Sequence, residues 1–132
     1  MIEGRAVPWS VEAVEVLHAA ARYDTTAGLQ SFAEVCAGSM LVEIARDGVP
    51  VLYYAARPIE RAHGVELLII AAAGRAPGVD LVTVGLEDVA RRFPTVDAVT
   101  VQTRRAGLVR KLVNAGFAYQ ATKLSRRVRP CQ

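Results

Sequence analysis

Hydrophobic positions recur along this chain with a period that changes from helical to strand-like and back. After Pro8-Trp9, Ser10 is placed as an N-cap with Glu12 in the first turn, and Val11, Val14, Leu17, His18 and Ala21 follow at helical spacing. Asp24-Thr25-Thr26 breaks that stripe. Leu29, Phe32, Ala33 and Cys36 form a second short amphipathic helix, stopped by Gly38-Ser39. The stretch "MLVEIARDGVPVLYYAARP" reads as two strands around Asp47-Gly48, a dipeptide that tolerates the positive φ angles of a two-residue hairpin. Glu66 to Ala73, "ELLIIAAA", is a nearly unbroken apolar run, the pattern of a buried strand.

The second half alternates in the same way. Val79, Val82, Leu86, Val89 and Phe93 line one face of a helix that Pro94 ends. Asp97 to Gln102, "DAVTVQ", predicts a further strand. Leu108/Leu112 and Val109/Val113 are i,i+4 pairs on a short helix, with Gly116 placed at its C′ position. Phe117, Tyr119 and Ala121 then alternate with polar partners and predict a last strand. The order α-α-β-β-β-α-β-α-β implies a mixed central sheet flanked by helices, an α/β or α+β fold. Without repeats or linkers, residues 1–132 read as a single domain, with a core at about 40–128 behind helices spanning 10–38.

Composition narrows the class. A hydrophobic fraction of 52% against 22% charged residues excludes a disordered chain. The longest uncharged apolar run, Leu67 to Gly74, is far short of the roughly 20 residues that span a bilayer. No leader-like segment is visible, so the expectation is a soluble cytoplasmic protein. Cys36 and Cys131 stand apart, with no metal-ligand spacing around them; neither a disulfide framework nor a metal site is expected. Ile2-Glu3-Gly4-Arg5 matches a protease site used in expression vectors; as such a scar or as native sequence, it points to no function.

The net charge of +3 conceals an asymmetry. Residues 1–90 hold 6 Lys/Arg against 12 Asp/Glu, whereas residues 91–132 hold 10 against 1. A polyanionic ligand, an acidic partner, or attraction between the halves within one fold or across a homodimer would each account for it.

This order, together with "TVQTRRAGLVRKLVNAGFAYQATKLSRRV", resembles the GNAT superfamily of acetyl-CoA-dependent N-acetyltransferases. The likeness covers roughly residues 40–128. Gly116 and Phe117 match the Gly-Phe that ends the family's last helix, and the segment is also similar to small GNAT-like proteins of phages and prophages. The resemblance implies a fold with a hairpin, a long central strand and a cofactor-binding helix. It also implies transfer of an acetyl group from acetyl-CoA to a primary amine, on a small molecule or a peptide.

The family's Gln/Arg-x-x-Gly-x-Gly/Ala motif falls on Arg75-Ala76-Pro77-Gly78-Val79-Asp80. Such a loop offers backbone N–H groups and the positive end of a helix to a pyrophosphate. Arg75 and Gly78 match, and Val79, Asp80 and Leu81 would supply N–H groups. Asp80 departs from the pattern, since a carboxylate there is ordinarily a helix cap that competes for the same donors. Arg104 and Arg105 are candidates for the adenosine 3′-phosphate. Many members carry a tyrosine acid five residues before the Gly-Phe phenylalanine; here that position is Leu112, which donates no proton. Tyr53, Tyr54 and Tyr119 read as strand aromatics.

Glu66, opening the central strand, is the candidate base, with a pKa that partial burial would raise. It competes with a plain strand-end carboxylate. His63 reads as a turn histidine and His18 as a core imidazole. Ala71, Ala72 and Ala73 would let a pantetheine arm approach the strand, or would simply pack against a helix.

Two readings from other classes stay open. One is a GNAT-like protein without catalysis, an accessory, structural or host-interacting factor; Asp80 and Leu112 suit it. The other is a nucleic-acid binder using Arg104, Arg105, Arg110, Lys111, Lys123, Arg126, Arg127 and Arg129. With only Phe117 and Tyr119 interleaved and no recognition motif, nucleic acid is the weaker of the two.

Overall fold

A computed structural model of the chain describes residues 1–18, 36, 38–103, 105–121, 124, 126, 128 and 129. Its elements are β1 (Ile2–Val7), α1 (Val11–His18), β2 (Met40–Arg46), β3 (Val49–Arg61), β4 (Gly64–Gly74), α2 (Leu81–Arg92), β5 (Ala98–Val101) and α3 (Ala106–Asn114). The five strands form one sheet in the order β1-β2-β3-β4-β5. Neighbours up to β4 are antiparallel, and β5 joins β4 in parallel after the α2 crossover. The fold is thus a mixed α+β arrangement of the expected kind.

Local chemistry explains several elements. Arg46 pairs with Val49 across Asp47 and Gly48, whose φ angles of 52° and 81° are those of a two-residue primed turn. At the end of α3, Phe117 N–H donates to Leu112 O and Gly116 N–H donates to Val113 O, at 3.0 and 3.1 Å. With Gly116 at φ 99°, this pair of bonds is a Schellman motif, as its C′ placement predicts.

Each face of the sheet carries its own core. Val42, Ile44, Leu52, Tyr54, Ala56 and Leu67 pack with Val89 of α2. On the other face Leu41, Tyr53 and Ala55 pack with Ala13 and Leu17 of α1.

Three expectations are corrected. The buried face of α1 is Ala13, Val16 and Leu17, while Val11 is 77% exposed and His18 is exposed rather than a core imidazole. The short side chain of Ala13 lets the helix lie close to Tyr53 and Ala55, which rotates the stripe. Residues 2–7, for which the sequence carries no structural expectation, form edge strand β1, paired with β2 along its length. Gly4 lies beneath the carboxylate of Asp88; a Cβ at Gly4 would stand 2.0 Å from Asp88 Oδ1. Residues 117–121 make no strand: Tyr119 is 68% exposed, and so short an alternation buries too little to hold an edge. The second expected helix, apart from Cys36, lies outside the described residues.

Candidate active site

The site begins with an irregularity in β4. Its register with β3 runs Tyr54↔Ala72 and Ala55↔Ala71, then Ala56↔Ile69, leaving one residue of β4 unopposed. Consequently Ile70 and Ala71 both pack toward the α1 face, while Ile69 and Ala72 pack on the α2 face. Such a bulge bends and twists its strand. β5 pairs with β4 from Glu66↔Ala98 to Ile69↔Val101 and ends where the bulge starts. Beyond that point β4 and the chain leading into α3 part, opening a cleft of about 1030 Å³.

Small residues form one wall. Ala72, Ala73 and Gly74 of β4 line the cleft opposite Leu108 and Leu112 of α3. Gly74 is obligatory there, because a Cβ would fall 2.2 Å from Val51 O, whose carbonyl also accepts from Arg75 N–H at 2.9 Å. Leu112, at the family's tyrosine position, is 9% exposed and faces this space with an aliphatic side chain.

α2 lines the cleft from its first turn to Val89. Gly78, at φ 77°, bends the loop into the helix with open space around it. Asp80 caps the helix: one carboxylate oxygen accepts from Val82 and Thr83 N–H at 3.1 and 3.3 Å, the other from the Thr83 hydroxyl at 2.9 Å. The Thr83 hydroxyl and N–H chiefly hold the Asp80 carboxyl below its ordinary range, helped by Val82 N–H and the charge of Lys111. Val79 N–H, expected to face a phosphate, instead donates to Ala76 O at 3.1 Å because the loop closes a turn there. Among the described residues the N–H groups of Asp80 and Leu81 have no protein acceptor. Arg75 is exposed and does not line the cleft, whereas Arg105 and Lys111 do. Arg105 stands at the N-cap of α3 with its N–H on Thr103 Oγ1. Arg104 lies outside the described residues.

Glu66 also departs from expectation. Because Leu67 and Ile69 face α2, the preceding Glu66 projects on the opposite face and does not line the cleft. The Thr100 hydroxyl donates to Oε2, and Arg61 donates to Oε1 from Nε at 3.0 Å and from its terminal nitrogen at 2.7 Å. These donors, Thr100 foremost, lower the Glu66 pKa; the expected rise would need burial that this strand end does not provide. His63 is exposed in the β3–β4 turn.

Both tyrosines of β3 are engaged with carboxylates. Tyr53 donates to Glu43 at 3.1 Å, and burial, then Glu43, pushes its pKa up. Tyr54 lines the cleft, yet its hydroxyl donates to Asp88 at 2.5 Å; burial and Asp88 push its pKa far up. Asp88, 1% exposed, also accepts from Arg91 and Arg92. Its burial raises its pKa, but the three donors together outweigh this and hold it below the ordinary range. Sequence reading passed over Asp88. Its only local signal is an acid beside Val89 on the buried side of α2, with arginines three and four residues on.

No protein-family model and no curated protein sequence matches the chain. Solved structures do. An aminoglycoside acetyltransferase from an uncultured soil metagenomic sample is similar over 98% of this chain and 99% of its own, with a TM-score of 0.60 and 12% identity. A ribosomal-protein-alanine N-acetyltransferase from Brucella melitensis aligns over 99% of this chain and 100% of its own, at a TM-score of 0.60 and 12% identity. A GNAT family acetyltransferase from Staphylococcus aureus aligns over 96% and 98%, at 0.54 and 9%. The sheet of this chain, with β5 paired to β4 only as far as Ile69, shares its fold with these structures. It is the fold of the GNAT acetyltransferases, and at these identities the fold is what is shared. Among the described residues no helix is long and apolar enough to cross a membrane.

Proposed function

We propose that this protein is an acetyl-CoA-dependent N-acetyltransferase acting on a primary amine. The observation that carries the reading is the cleft between β4 and α3. It is large enough for an extended arm, is walled on one side by Ala72, Ala73 and Gly74, and is lined by α2 from its first turn to Val89. Acetyl-CoA would supply an activated acetyl thioester there. The strand edge beyond Ile69, unpaired by β5, offers backbone groups to an amide-bearing arm, and the small side chains let it come close. Asp80 and Leu81 N–H, at the turn set by Gly78, would hold the pyrophosphate with Arg75 alongside. Arg105 and its sequence neighbour Arg104 would meet the adenosine phosphate, with Lys111 inside the cleft. Glu66 is the base in this reading. It does not line the cleft and both its oxygens are engaged by Arg61 and Thr100, so it would have to take the amine proton through intervening water, as an ionised and weak acceptor. Leu112 gives the leaving thiolate no proton, which leaves that step to solvent.

The second reading, a GNAT-fold accessory protein of the phage-encoded kind without catalysis, is favoured by one observation. The Asp80 carboxylate occupies two first-turn N–H groups that a pyrophosphate would use. Calorimetry with acetyl-CoA and CoA on the native protein and on Asp80→Gly separates the two. Binding by the native protein, followed by turnover of a panel of amines, is the expected result. Binding by Asp80→Gly alone would support the accessory reading, and no binding by either would remove the enzyme reading.

A further inference from the structure

We infer that β1 is a self-association strand, through which two copies of the chain pair antiparallel about Gly4 and join their sheets. β1 stands at the sheet edge, and among the described residues it pairs with β2 alone. Edge strands are ordinarily guarded by proline, bulges or charged side chains, and charges of opposite sign can instead pair across an edge. Ile2–Val7 has neither proline nor bulge, and its two charges, Glu3 and Arg5, are opposite.

Backbone phase defines which groups are free. Asp47 N–H donates to Met1 O at 2.9 Å, so the odd-numbered residues of β1 bond toward β2. Ile2, Gly4 and Ala6 then direct their N–H and C=O groups outward, three donors and three acceptors in a row.

Charge selects the register. A two-fold axis perpendicular to the sheet places opposite one another only residues that share a face, so the centre falls on a residue. Centring on Glu3 or Arg5 sets like charges directly opposite, which is unfavourable. Centring on Gly4 sets Glu3 against Arg5 of the partner subunit, twice by symmetry, and Ile2 against Ala6 of the partner subunit. Within one chain Arg5 already pairs with Glu43 at 3.2 Å, on the strand inside it. Arg5 is 74% exposed, so its outer side is open to a second carboxylate, giving the row Glu43, Arg5, Glu3 with alternating sign. The same pairing covers Ile2, which is 42% exposed in the single chain.

Analytical ultracentrifugation of the full chain tests this, with Ala6→Pro and Glu3→Arg as variants. The native protein is expected to sediment at twice 14.2 kDa. Ala6→Pro removes an outward N–H that β2 does not use and should give a folded monomer. Glu3→Arg sets arginine against arginine and should raise the dimer dissociation constant about tenfold or more, with the melting temperature of the monomer kept. A native protein that stays monomeric at its highest soluble concentration overturns the inference. So does a dimer that survives both substitutions, which would place the contact elsewhere. Should Ala6→Pro fail to fold, Glu3→Arg, at an exposed position, still decides.

Discussion

Replacing Gly4 by alanine tests whether the amino-terminal strand belongs to the core. The new Cβ would lie 2.0 Å from Asp88 Oδ1 and 2.8 Å from its Cγ, inside any van der Waals contact. Either β1 lifts away from α2, or the carboxylate leaves Tyr54, Arg91 and Arg92. Overpacking of this kind costs about 1–3 kcal/mol, and a hydrogen bond to a charged group contributes about 1.5–3 kcal/mol. Relaxation takes the cheaper route, so the two do not add, and the expected loss is about 2–3 kcal/mol. An unfolding entropy of roughly 2.1 cal/mol/K per residue gives about 0.28 kcal/mol/K for a chain of 132 residues. The melting temperature should therefore fall by about 7–11 °C. Thermal melts of the native protein, Gly4→Ala, Asp88→Ala and the double variant form a cycle. In the Asp88→Ala background the obstacle is gone, and Gly4→Ala should cost almost nothing further. A Gly4→Ala melting temperature within about 2 °C of native, or equal losses in both backgrounds, would refute the placement of Asp88 over β1.

Two further outcomes are expected from the cited pKa directions. Because the folded pKa of Tyr54 is raised, its stabilisation is complete below an unfolded value of about 10 and is lost as pH rises beyond it. Chemical denaturation should thus show Tyr54→Phe less stable than native at neutral pH, with the gap narrowing above about pH 10; a constant gap would contradict this. For Glu66 the folded pKa is lowered, so its stabilisation is present above the unfolded value of about 4.3 and is lost as pH falls through the folded one. In Thr100→Val, an NMR titration should move the Glu66 pKa up toward that ordinary value, and an unmoved value would show that the hydroxyl is not the main cause.

Much of the fold is legible because its signals are local. The Asp47-Gly48 turn, the stop at Gly116, the unbroken apolar strand and the position of Leu112 are each written within a few neighbouring residues, through φ preferences and hydrophobic period. The site was legible only as a set of places. Gly78 and Asp80 fall at the start of α2 as expected. Whether Asp80 turns outward or caps the helix depends on Thr83 and its neighbours in three dimensions, and the answer is a cap. Glu66 is legible near the head of β4 but its pKa direction is not, because Arg61 reaches it from the end of β3 and Thr100 from β5.

From sequence alone, then, come the hairpin, the central strand, the two helices that follow it and the resemblance they carry. Tertiary structure alone decided the rest. Residues 2–7 become a strand only because β2 offers an edge and Asp88 needs a neighbour without a Cβ. The bulge at Ile70 opens the cleft only because β5 stops pairing beside it. These features join residues far apart in the chain, and no short stretch of sequence records a partner that folding alone brings near.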